Sequence, residues 1–255
     1  MMESLRFPDR HPIWFVALLA ITIVAVYLAA GTVATILKLS ALALYGSAKV
    51  ALALITAALL TRLGRWRAAG FRRPYLSRDL LLFWLPLVTV VVNLLWGFAA
   101  ANVVLVAAFL AIALCVGFAE EAFFRGLMLC ALAPGGAKRA ALVTALVFGL
   151  IHSMNALAGS NLPYVLLQIC YAVAIGFGYS ALVLRTGTIW PLVVTHSLTD
   201  FVGFMVGGGI LNTATPTTAT VAIAIAYTVA FPAYGLFLLR GSTALTPALF
   251  QGERR

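Results

Sequence analysis

The chain has 255 residues, is 64% hydrophobic and 9% charged, and has a mean hydropathy of +1.08. A soluble domain of that length cannot enclose so much apolar surface, and the runs are continuous and helix-length, which excludes a β-barrel; the reading is an all-α polytopic membrane protein. The net charge of +10 does not mark a nucleic-acid partner, because the basic residues lie between apolar runs and not in a patch interleaved with stacking aromatics.

Taken in order, the first apolar run covers 13–36 behind Arg6 and Arg10. It imitates a signal peptide but is too long for one, and is read as the first retained helix. His11, before Pro12 at the membrane edge, is read as incidental. Further spans are expected at 41–61, 80–100, 103–132, 140–157, 163–184, 188–206 and 219–239, giving about eight helices in a single domain over 1–255. The stretch 80–116 carries no charge, yet as one helix it would run about 55 Å against a bilayer core of about 30 Å. It must break, and 97–102 is the expected place. Pro86, Pro191 and Pro232 lie in or at the start of apolar runs, where they can kink helices. The glycine- and threonine-rich stretch 207–220 reads as an external linker, and the tail 241–255 as anchoring charge. Cys115, Cys130 and Cys170 are odd in number and lie inside spans, so they are read as packing residues and not as disulfide or zinc ligands.

Charge tests the span count. Arg62, Arg65, Arg67, Arg72, Arg73 and Arg78 fall between the second and third spans, which the positive-inside rule assigns to the cytoplasm. Alternation from there puts fourteen of the seventeen basic residues on the cytoplasmic side and only Lys38 outside, with Lys49 and Arg125 within spans. Eight helices with both termini cytoplasmic are therefore expected.

Intramembrane polar groups concentrate at 103–206. Glu120 and Glu121 are two of only seven acidic residues and sit with Arg125 in one apolar run. Each charge at the centre of a span is unfavourable by about 2.5–3.5 kcal/mol, so compensation or function is expected. Glu121 and Arg125, four apart on a helix, share a face and can pair. Glu120 points about 100° away, which leaves it without a local partner and makes it the carboxylate to suspect of chemistry. Phe148 and His152 lie in the fifth span, and His196 and Asp200, again four apart, in the seventh. At about 1.5 Å per residue from the cytoplasmic ends, Glu120, His152 and Asp200 come to about 18 Å depth and His196 to about 12 Å. Three helices thus bring these groups to one level, as a shared site requires.

A carboxylate in such a site suits a general base acting on water, one imidazole can hold that water, and a second can donate to an oxyanion. Glu plus two His is a competent kit for hydrolysing an amide. The same kit could bind zinc through Glu120, His152 and His196, although the two His come from separate helices with no His-Glu-x-x-His run. The bland alternatives are a structural Glu121–Arg125 pair and singly packed histidines. Convergence at one depth favours a site.

Glu120-Glu121-Ala122-Phe123-Phe124-Arg125, then Phe148-Gly149-Leu150-Ile151-His152, then His196-Ser197-Leu198-Thr199-Asp200, in that order on membrane helices, resemble the motifs of the CPBP intramembrane proteases, the CAAX-prenyl-protease and bacteriocin-processing (Abi) family. The resemblance covers about 103–206, taken as the catalytic core. It implies an eight-helix membrane fold, a bacterial plasma-membrane location and glutamate-dependent endopeptidase activity on a membrane-proximal peptide or protein, lipidated substrates included, with no cofactor. Carried over by position, Glu120 would activate water and His152 would help to place it. His196 and Asp200 would stabilise the oxyanion, and Glu121, Arg125 and Phe148 would shape the site. The prenyl-protease members usually carry Asn at the last position; ionised Asp200 cannot donate a hydrogen bond, so it acts either protonated or by orienting and charging His196. The rival readings are a non-catalytic membrane scaffold or immunity protein and a proton-coupled transporter.

Overall fold

The computed structural model describes residues 7–240, and the segment 241–255 read as an anchoring tail lies outside them, as does Arg6. The described residues are helical with no strand. After a four-residue α1 (Phe7–Arg10) come α2 (Pro12–Leu37) and α3 (Ala41–Leu63). A 3₁₀ turn (Ser77–Phe83) leads into α4 (Trp84–Leu94), and α5 (Val103–Glu120) continues through a π-helical segment (Glu121–Met128) into α6 (Leu129–Leu132). Then follow α7 (Ala137–Ile151), the single turn α8 (Met154–Leu157), α9 (Leu162–Thr186), α10 (Trp190–Gly207) and α11 (Thr218–Leu238).

Among the described residues seven helical stretches are long and apolar enough to cross a membrane, so the protein is an integral multi-pass membrane protein. The eighth expected span, α10, has the same 18-residue length as Ser77–Leu94 but is not among the seven. His196, Ser197, Thr199 and Asp200 dilute its apolar character. Large apolar side chains such as Trp14, Ile21 and Leu28 on α2 and Val229 on α11 face outward, as expected where the surrounding solvent is lipid.

The expected break between the third and fourth spans is present: residues 95–102 leave helical geometry, Gly97 takes a positive φ of 73°, and the Asn102 side chain caps α5 by accepting from Leu105 N at 2.9 Å. Pro191 occupies the first turn of α10, where a missing N–H costs nothing, and Pro232 lies inside α11. Of the cysteines read as packing residues, Cys130 is buried with its Sγ 3.1 Å from the Ala68 carbonyl and Cys115 is half-buried, whereas Cys170 is exposed on α9.

Helix pairing explains how the site is assembled. α5 packs between α3 and α10, α7 packs on α9, α9 on α11, and α4 on α10. Gly117 is what lets α5 approach α10: a Cβ there would overlap Ser197 Oγ and come within 2.8 Å of the Val193 carbonyl. Polar links also hold α10 in place, since Thr199 Oγ1 lies 3.0 Å from Thr89 Oγ1 and Asn93 Nδ2 donates to the Thr199 carbonyl at 3.4 Å. On the side carrying the basic loop, Ile189 N donates to the Gly70 carbonyl (3.0 Å) and Tyr75 N to the Thr186 carbonyl (3.0 Å), so residues 64–76 dock onto the turn between α9 and α10.

Candidate active site

The two carboxylates sit where α5 passes into its π segment. A π turn widens the helix locally and is a recurrent feature of functional sites; an unbroken α-helix over 103–132, as the apolar run alone implies, is corrected here. Glu121 and Arg125 are both completely buried, and Arg125 Nη1 donates to Glu121 Oε1 at 3.2 Å, so the expected pair forms. The same oxygen lies 2.7 Å from His196 Nδ1. Glu121 therefore does more than neutralise Arg125: by accepting from Nδ1 it fixes the His196 ring and places its proton on that nitrogen.

The other face of the ring meets two more acids. His196 Nε2 lies 3.8 Å from Glu120 Oε2 and 3.7 Å from Asp200 Oδ2. These separations exceed a direct hydrogen bond and suit a group, such as water, held between them. His196 thus has carboxylates at both nitrogens: Glu121, 75 positions away in sequence, at Nδ1, and Glu120 together with Asp200 of its own helix at Nε2.

Phe148 is the hub of the aromatic floor. Its ring lies 4.8 Å from the His152 ring, 6.3 Å from His196 and 5.0 Å from Phe124, all near-perpendicular. The Arg125 guanidinium stacks on it at 4.1 Å, a cation–π contact that helps a buried cation persist. His152 closes α7, and its Nδ1–H donates to the Phe148 carbonyl at 2.8 Å, since a carbonyl can only accept. In the neutral ring Nε2 is then the free acceptor. His152 and His196 both lie within electrostatic reach of Glu120.

Glu120 has no partner on its own helix, as expected, but it gains one from another: Lys49 of α3 donates to its Oε1 at 2.5 Å. The partner arrives from 71 positions away. Lys49 Nζ also lies 5.0 Å from the Tyr45 ring and 5.3 Å from the Tyr27 ring. The sequence did carry a signal for it, because a lone lysine in an apolar span is a functional-site candidate by default. All the other expected site residues, Glu120, Glu121, Arg125, Phe148, His152, His196 and Asp200, fall in one cluster. Beside Glu120 opens a small, partly open pocket with walls from α2, α3, α5, the π segment and Ile151. Among the described residues no three of His, Cys, Asp and Glu are placed to share a metal ion.

Residues 102–202 match the family model described as type II CAAX prenyl endopeptidase Rce1-like. That stretch begins at the cap of α5, ends within α10 and holds all three motifs. Over that stretch, about two fifths of the chain, the protein is similar to the Rce1-like type II CAAX prenyl endopeptidases, in agreement with the resemblance of the motifs. No curated protein and no solved structure matches the chain.

Proposed function

We propose that the protein hydrolyses a peptide bond of a membrane-associated peptide or protein, prenylated substrates included, with water activated by Glu120. Supporting the reading above all is the gap between Glu120 Oε2 and His196 Nε2, 3.8 Å wide and bordered by Asp200. It brings a base and an oxyanion donor from separate helices to one point.

Glu120 Oε2 takes a proton from water, and the free Nε2 of His152 accepts the second hydrogen bond that orients the oxygen for attack. The carbonyl oxygen then gathers negative charge, which His196 stabilises as an imidazolium, its Nδ1–H on Glu121 and its Nε2–H turned to the oxyanion. Asp200, 3.7 Å from the same nitrogen, charges and aligns that ring. On this reading the departure from Asn at that position is tolerated, because a carboxylate can serve His196 without donating. Collapse of the intermediate passes the proton held by Glu120 to the leaving amine.

The mechanism needs no metal. The donor set is already committed to cations of the protein, Glu120 to Lys49 and Glu121 to Arg125. A divalent ion at Glu120 would stand directly beside the Lys49 ammonium and be repelled by it.

The test is cleavage of an internally quenched peptide ending in an S-farnesylated cysteine and three further residues, alongside its unlipidated twin, by the full chain in nanodiscs. Glu120→Gln is expected to lower kcat about 10²–10⁴-fold, as for loss of a general base, and His152→Ala to lower it as well, with a chelator leaving wild-type turnover intact. Turnover undiminished in Glu120→Gln would overturn the reading. Turnover abolished by chelator and restored by zinc would move the chemistry to a metal held by Glu120, His152 and His196.

A further inference from the structure

Lys49 lies outside the matched stretch 102–202 and plays no part in the steps above, yet it touches the base. It is only 3% exposed, at mid-length of α3. A buried ammonium must be paired, and a merely compensating Lys–Glu pair would meet that need. Three observations go further. Lys49 occupies Oε1 alone, which leaves Oε2 as the oxygen facing His196 Nε2. Its ammonium stands over the Tyr27 ring of α2 and the Tyr45 ring of α3, so a helix outside the motifs holds it from a second direction. Finally, Lys49, Tyr27 and Glu120 border the same cavity as Ile23, Leu52 and Phe123. The ammonium therefore stands at the wall of an opening onto the carboxylate.

We infer that Lys49 is a positioning residue of the hydrolytic centre, anchoring Glu120 Oε1 so that the carboxylate cannot rotate and Oε2 alone is offered to the attacking water. The inference rests on Glu120 being the base. Geometry of this kind acts on the chemical step: displacing a reacting group by about 1 Å can cost about 10²-fold in rate without altering substrate binding. No proton passes through Lys49, and the bonds made and broken are those of hydrolysis alone.

The experiment compares Lys49→Met, Lys49→Gln, Lys49→Arg and Lys49→Ala in the full chain in nanodiscs, with the S-farnesylated quenched peptide and thermal unfolding measured in parallel. Lys49→Met is expected to lower kcat about 10²-fold, with KM changed by no more than about threefold. Lys49→Arg regains part of the loss, and Lys49→Ala regains turnover in proportion to added ethylammonium. A purely structural pair would give none of this split and no rescue. A folded Lys49→Met with wild-type kcat overturns the inference. If Lys49→Met does not fold, the same criterion applies to Lys49→Ala without added ethylammonium, which also leaves Oε1 without a donor, whereas Lys49→Gln, which keeps a donor without the charge, regains part of the loss. Glu120→Gln separates the two levels: active Glu120→Gln removes the reading of the base, whereas inactive Glu120→Gln beside fully active Lys49→Met removes only the role of Lys49.

Discussion

Glu121 Oε1 accepts from both Arg125 and His196, and that single oxygen couples stability to chemistry. Arg125→Met strands a completely buried carboxylate and is expected to destabilise the protein by about 3–5 kcal/mol, the usual result of breaking a buried pair from one side. Thermal unfolding in detergent checks this. Removing both charges in Glu121→Gln/Arg125→Met should return most of that stability while leaving turnover low, since the Gln amide can still accept from Nδ1 but no longer carries the charge that favours the His196 imidazolium. At this scale the sequence was informative wherever partners are four apart: Glu121–Arg125 and His196–Asp200 follow from helix geometry alone. Lys49–Glu120 and Glu121–His196 do not, because nothing local couples positions 71 and 75 residues apart. Only packing of α3 and α10 against α5 creates them.

Among the elements, the decisive contact is α5 on α10. Gly117→Val would push a branched side chain into Ser197 and the Val193 backbone, and overpacking of this kind costs about 1–3 kcal/mol. The larger effect is expected on turnover, because the wedge sits one helical turn from Glu120 and separates it from His196. Gly203→Ala provides the control, as nothing lies within 4 Å of a Cβ there and α10 should be undisturbed. A Gly117→Val protein as active as Gly203→Ala would show that the crossing does not set the spacing. The elements themselves were legible from apolar run length, and the break at 95–102 from the mismatch between run and bilayer thickness. The π segment was not, since an apolar run reads alike in α- and π-geometry and its extra width is chosen by what packs around Glu121 and Arg125.

For the molecule as a whole, the motifs locate the matched stretch, and α4 to α10 bring its parts together, but the neighbourhood of Glu120 extends further. Tyr27, Tyr45 and Lys49 belong to α2 and α3, before residue 102. Run lengths and basic loops reveal those helices as membrane spans; they cannot reveal that one of them reaches Glu120. The polarity of α10 has a consequence of another kind, for the birth of the protein on the ribosome. Offered to a translocon by itself, a helix with His196 and Asp200 near its middle is disfavoured, since Asp alone at the centre of a span costs about 2.5–3.5 kcal/mol. Glycosylation mapping of nascent chains should therefore find isolated α10 left outside the bilayer and α10 preceded by the rest of the chain admitted; efficient solo insertion would refute this. By the time α10 emerges, α4 and α5 have already been synthesised, bringing Thr89, Asn93 and the two glutamates to meet its polar face. The residues that would perform hydrolysis thus double as the landing site that lets their own partner helix enter the membrane, so translation order and site assembly become one process.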